Sequence, residues 1–130
     1  MRRYLLIVFL WAFITGNAIA QEKYAHIEFE ETTHDFGKIS ESDPIRKCVF
    51  YFTNTGDLPL IINQAVASCG CTVPSYSKEP IKPGEKGEIK VRYSAKGAFP
   101  GHFKKTITIR TNADIEVTRL HIEGEIVEDE

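Results

Sequence analysis

The sequence predicts an all-β fold, an immunoglobulin-like antiparallel β-sandwich of about seven strands. Three observations carry that expectation. Apolar residues recur at every second position through most of the chain. Gly, Pro, Asn and Asp separate the alternating runs, and no window of residues 21–130 has helical periodicity. Strands that are apolar on one face and polar on the other, joined by short turns, must pair their apolar faces in a sandwich or small barrel.

The elements follow in order. Ile27 and Phe29 alternate with His26, Glu28 and Glu30. Cys48, Phe50 and Phe52 share one face of the next strand, with Val49, Tyr51 and Thr53 on the other. Asn54-Thr55-Gly56-Asp57 turns the chain, and Leu58, Leu60, Ile62 and Val66 are expected on one apolar face beyond it. Pro83-Gly84 suits the centre of a type II turn, because proline fixes φ and glycine accepts positive φ. Ile89, Val91 and Tyr93 then alternate with Glu88, Lys90, Arg92 and Ser94. After Pro100-Gly101, Phe103, Ile107 and Ile109 form another inward row. Asn112-Ala113-Asp114 closes a hairpin into Val117 to Val127, where Leu120, Ile122 and Ile126 share a face.

The first twenty residues have a different character. Arg2 and Arg3 precede the apolar run Tyr4 to Ile14, and Ala18-Ile19-Ala20 has the small-x-small pattern of a signal peptidase site. That run is shorter than the ~18 residues a membrane-spanning helix needs. Residues 1–20 are therefore expected to be a cleaved signal peptide, and residues 21–130 one domain, secreted or periplasmic and soluble. The only tryptophan, Trp11, belongs to the leader, so the core tryptophan of antibody domains is absent. Sixteen Lys and Arg face eighteen Asp and Glu, and loss of Arg2 and Arg3 makes the mature chain more acidic still. No basic patch of the kind that binds nucleic acid or anionic lipid is expected. The acids gathered between Glu123 and Glu130 read as a solvated end.

Chemistry is concentrated at Cys69-Gly70-Cys71-Thr72. Residues i and i+2 of a regular strand lie too far apart for an easy disulfide, but a bend at Gly70 relaxes that limit. The pair is a disulfide candidate that would clip a turn. Its alternatives are a Cu(I) or Zn(II) site, with Cys69, Cys71 and His102 as the weak candidate ligands, and a thiol-redox pair. His34, His121 and Cys48 are the other potential ligands, although none sits at a recognised ligand spacing from the pair. Three cysteines leave at least one thiol free or paired with another molecule. Cys48 reads as a buried small hydrophobe. His34 and Asp35 read as a turn in a connecting segment, His102 as an exposed loop tip, and His121 as solvated. No phosphate loop, zinc-protease helix or nucleophile elbow is present, so no catalytic residue and no cofactor is assigned.

Several stretches together resemble a known family. They are Thr33-His34-Asp35-Phe36-Gly37-Lys38-Ile39, Phe52-Thr53-Asn54-Thr55-Gly56, Pro59-Leu60-Ile61-Ile62, Ser68-Cys69-Gly70-Cys71-Thr72, Pro80-Ile81-Lys82-Pro83-Gly84 and Gly101-His102-Phe103-Lys104-Lys105-Thr106-Ile107. In this order and spacing the chain resembles the bacterial domain-of-unknown-function family 1573, from His34 to about Asn112. The resemblance implies an exported immunoglobulin-like sandwich, in the style of the domains of major sperm protein and some ciliary proteins. It implies no established activity or substrate, and Cys48 is not among the cysteines that it carries.

The expected function is that of a non-enzymatic protein-interaction or structural module of the bacterial envelope, whose partner is another envelope or secreted protein. Its contact loops are expected around Ser68 and Thr72, and around Phe99 and His102. The alternative is a metal-handling or thiol-redox protein that uses Cys69 and Cys71.

Overall fold

A computed structural model describes residues 22–129, so the expected signal peptide at residues 1–20 lies outside the described residues. Eight strands form two four-stranded sheets: β1 (Ile27–Phe29), β2 (Thr33–Ser40), β3 (Ile45–Asn54), β4 (Ile62–Ala67), β5 (Thr72–Tyr76), β6 (Lys86–Ser94), β7 (Gly101–Thr111) and β8 (Val117–Val127). One sheet runs β1-β3-β6-β5 and the other β2-β8-β7-β4. The chain changes sheet at every step from β1 to β5 and again between β6 and β7, and stays within one sheet only from β5 to β6 and from β7 to β8. These crossings make the element an immunoglobulin-like sandwich rather than two meanders.

The inward rows read from the sequence build the core. Cys48, Phe50 and Phe52 of β3 are buried beside Ile89, Val91 and Tyr93 of β6, facing Ile107, Ile109, Leu120, Ile122 and Ile126 of the other sheet. Tyr93 lies between Phe36 and Phe103, with ring centroids 6.3 and 4.5 Å away and both pairs stacked. The three rings bridge the sheets, where burial of aromatic area adds to ring–ring attraction. The turn at Pro83-Gly84 forms as expected: Gly84 has φ +82°, and the Glu85 N–H donates to the Lys82 carbonyl at 3.0 Å.

The structure corrects three readings. Thr33–Ser40 is a strand, not a connecting segment, and it pairs in parallel with β8. Its alternation is interrupted by a bulge between Asp35 and Lys38, which hides the period. Leu58 and Val66 do not share the core face of Leu60 and Ile62: they are 41 % and 46 % exposed. A bulge between Ile62 and Gln64 shifts the register against β7, so Ala65 and Ala67 turn inward and Val66 outward. His102 is the second residue of β7, not a loop tip.

Asn54 holds one end of the sandwich together. It is wholly buried, and its Oδ1 accepts from the N–H groups of Gly56 at 3.0 Å and His26 at 3.4 Å. Its Nδ2 donates to the carbonyls of Leu58 and Ile81, at 2.8 and 2.9 Å. Gly56 lies against the backbone of Tyr24, Ala25 and His26 so closely that a Cβ would overlap it. Both ends of Asn54-Thr55-Gly56 are therefore fixed by packing as well as by turn propensity.

Candidate functional site

The cysteine pair lies in the crossing from β4 to β5, between the two sheets. Ser68 anchors it to one sheet: its N–H donates to the Thr106 carbonyl at 2.9 Å, and its Oγ accepts from the Thr106 N–H at 3.2 Å. Cys71 anchors it to the other, its carbonyl accepting from the Ser94 N–H at 2.9 Å. Between the anchors, the Thr72 N–H donates to the Cys69 carbonyl at 3.3 Å, which tightens the turn around Gly70. The Cα atoms of Cys69 and Cys71 are 5.3 Å apart and their sulfurs meet, a separation within the range that a bridge spans. Thr72 Oγ1 is 3.7 Å from each sulfur. Thr72 is buried, so it supports the turn from beneath and offers no surface for contact, contrary to its expected place in an interaction loop.

The other candidate residues separate. Phe99, in the β6–β7 connection, is 91 % exposed, the most exposed of the large hydrophobic side chains described. His102 lies four residues along β7 from Thr106, the residue that Ser68 grips, and is paired in register with Glu125. Its side chain lines an open groove of about 530 Å³ with Asp35, Lys38, Lys104, Glu123 and Glu125. His34 packs edge-on against Phe36, with centroids 4.7 Å apart, and the neighbouring Asp35 Oδ1 accepts from the Gly37 N–H at 2.7 Å. His121 is half-buried rather than solvated, its Nδ1 3.2 Å from Thr106 Oγ1. Cys48 lies on the inner face of β3, where burial pushes its thiol pKa up to about 11. No histidine therefore joins Cys69 and Cys71, and among the described residues no group of three His, Cys, Asp or Glu is placed to hold a metal ion.

Topology gathers three connections at one end of the molecule: residues 41–44, the cysteine crossing at 68–71, and residues 95–100 with Phe99. It also leaves part of β7 without a neighbour. β4 pairs with β7 only as far as Ile107, and the crossing then carries the chain to the other sheet. The Thr106 backbone faces β4, and strand alternation turns the N–H and C=O groups of Lys104 and His102 the same way. Those groups have no partner among the described residues. An exposed sheet edge that could accept a partner strand is expected of such a sandwich from its sequence, but its place on β7 is not, since no local signal says where a partner strand stops.

The fold and this end of it define the class: an immunoglobulin-like sandwich with a cysteine-bearing crossing between its sheets. The chain belongs to the family described as "Protein of unknown function (DUF1573)", whose model matches residues 27–126. No curated protein matches. Among solved structures, a protein of unknown function from Porphyromonas gingivalis W83 aligns at 18 % identity and a TM-score of 0.70. The alignment covers 84 % of this chain and 51 % of that one, so this chain spans about half the length of that relative. The ASH/PapD-like domain 7 of human CEP192 aligns at 8 % identity and a TM-score of 0.65, covering 88 % of this chain and 94 % of that one. The periplasmic chaperone SfaE aligns at 9 % identity and a TM-score of 0.57, covering 81 % and 59 %. At these identities the likeness shows the fold alone.

Proposed function

We propose that the protein is an exported, non-enzymatic interaction module of the bacterial envelope, and that it binds another envelope protein through the end that carries Phe99 and the open edge of β7. The single observation behind this reading is the juxtaposition of Phe99 with that edge. A large aromatic held in water beside unpaired backbone N–H and C=O groups suits a partner that adds a strand and covers the ring. Likeness in fold to a periplasmic chaperone is in keeping with this use.

Photo-crosslinking tests the reading in intact cells. A crosslinking amino acid at Phe99 should capture a discrete envelope protein, and Lys104→Pro, which spoils the β7 edge, should abolish capture. Capture no greater than from Glu79, at the opposite end, would refute it. The same reading makes Cys69 and Cys71 a disulfide that clips the crossing, supported by their adjacent sulfurs. Alkylation and intact mass of the purified protein should then show one free thiol, Cys48, reactive only after unfolding. Three free thiols in the native protein would remove the clip.

A further inference from the structure

A second open edge lies on the other sheet, and its chemistry differs. β1 covers only the last residues of β3, pairing Ile27 to Phe29 with Asn54 to Phe52, before the chain crosses to β2. The Tyr51 carbonyl still accepts from the Glu30 N–H at 3.0 Å. Beyond it, strand alternation turns the N–H and C=O groups of Val49 and Lys47, and the N–H of Tyr51, toward the side that β1 has left. None of them has a partner among the described residues.

Three sheet margins carry devices that discourage pairing. β2 and β4 are bulged. On β5, the Ser94 N–H bonds to the Cys71 carbonyl, so odd-numbered residues face β6 and Pro74 presents its missing N–H to the free side. β3 has neither proline nor bulge, and its register with β6 is unbroken from Ile45 to Thr53.

The outer face beside this edge is cationic. Lys47 is directly opposite Arg92, and Arg92 is opposite Val73, so one rung reads Lys47, Arg92, Val73. The next reads Val49, Lys90, Ser75, and the two rungs line an open groove of about 370 Å³. Like charges directly opposite one another destabilise a sheet. Neither Lys47 nor Arg92 has an ion-pair partner among the described residues, and Lys90 meets only Glu88, at 3.5 Å. Val73 is 52 % exposed beside them. Lys47 alone would be a sufficient guard for an edge. Arg92, one strand further in and opposed to it, adds repulsion that guards nothing.

We infer that the open edge of β3 binds an extended acidic segment of another protein, which pairs with Lys47 to Tyr51 and sets its carboxylates against Lys47, Arg92 and Lys90. The edge offers donors and acceptors in alternation, which a peptide backbone satisfies and a phosphate group, having acceptors only, does not. A second copy of this chain is disfavoured, since β3–β3 pairing joins two cation clusters into one face whose only acid on β6, Glu88, is already engaged by Lys90 in each copy. This surface is distinct from the Phe99 end, and the test separates the two.

The probe is a fluorescein-labelled ten-residue peptide in which Glu alternates with Thr and Val, read by anisotropy and by residue-resolved amide exchange. In the free protein, the amides of Lys47, Val49 and Tyr51 should exchange fast and those of Cys48, Phe50 and Phe52, which face β6, slowly. Peptide binding should protect the first three. Lys47→Glu and Arg92→Glu should each weaken binding roughly tenfold, the scale of one charge-assisted hydrogen bond, with unchanged far-UV spectra. The same peptide with Lys for Glu should not bind. Absence of saturable binding, equal binding of the Lys peptide, or protection at His102 and Lys104 instead would overturn the inference. The last outcome would leave the Phe99-end reading standing. Concentration-dependent protection of Lys47 and Val49 without peptide would also overturn it, by making the occupant a second copy.

Discussion

Replacing Asn54 should be among the most damaging single changes to this fold. The side chain is wholly buried and completes four hydrogen bonds, to the N–H groups of His26 and Gly56 and to the carbonyls of Leu58 and Ile81. Asn54→Ala removes all four and leaves the His26 and Gly56 N–H groups and the Leu58 carbonyl to find water or go without, while the Ile81 carbonyl keeps the Leu60 N–H at 2.8 Å. A hydrogen bond is worth about 1 kcal/mol net and an unsatisfied buried group costs about 1–3 kcal/mol. With the Ile81 carbonyl still bonded, a total of about 3–5 kcal/mol is expected, a large part of the ~5–15 kcal/mol that such a domain has. In urea, with a slope of roughly 1–2 kcal/mol per molar, the midpoint should fall by about 2–3 M. Asn54→Asp keeps the acceptor but turns a carboxylate toward the Leu58 and Ile81 carbonyls. That carboxyl should have a raised folded-state pKa, so its deficit relative to Asn54 should shrink as the pH falls and grow as it rises through that value. Equilibrium urea unfolding followed by circular dichroism measures both. An Asn54→Ala loss below about 1 kcal/mol, no larger than a surface change, would refute the reasoning.

Three further outcomes follow from the structure. Burial raises the Cys48 thiol from 9.0 to about 11, so its contribution is intact below pH 9 and is lost as the pH rises toward 11. Stability should fall by up to about 1.4 kcal/mol per pH unit in that window, and Cys48→Ala should flatten the fall. Ile62→Ala should cost about 2–4 kcal/mol while Val66→Ala stays within about 0.5 kcal/mol, although both were expected on one face; equal losses in thermal unfolding would contradict the β4 bulge. The side-chain hydrogen bond from His26, whose Nδ1 is 2.7 Å from Asp114 Oδ1, is the main cause holding Asp114 below its ordinary 3.8. That contribution is present above pH 3.8 and is lost as the pH falls through the lower folded-state value, so Asp114→Asn should reduce the acid sensitivity of unfolding.

The sites differed in how far they could be read in advance. The cysteine crossing was visible because Cys69-Gly70-Cys71 is a local signal, and its geometry needs only a bend at Gly70. The candidate partnership of Cys69 and Cys71 with His102 was not testable from spacing, because β7 carries His102 away from the crossing in the third dimension. Thr72 looked like a loop residue but is buried, since it is the first residue of β5. Lys90 and Arg92 were legible as a polar face of one strand. That Lys47 stands directly opposite Arg92 depends on strand pairing across distant sequence.

The sequence by itself determined which residues form most strands, which face of each is apolar, and where the chain turns. Those properties are local: side chains alternate with period two, and glycine and proline restrict φ wherever they occur. Tertiary structure decided the rest. It set the parallel pairing of β2 with β8, the bulge that turns Val66 outward, and the points where β1 and β4 abandon β3 and β7. Each of these is a contact between segments far apart in the chain. An edge becomes open only when the strand that would cover it is drawn into the other sheet.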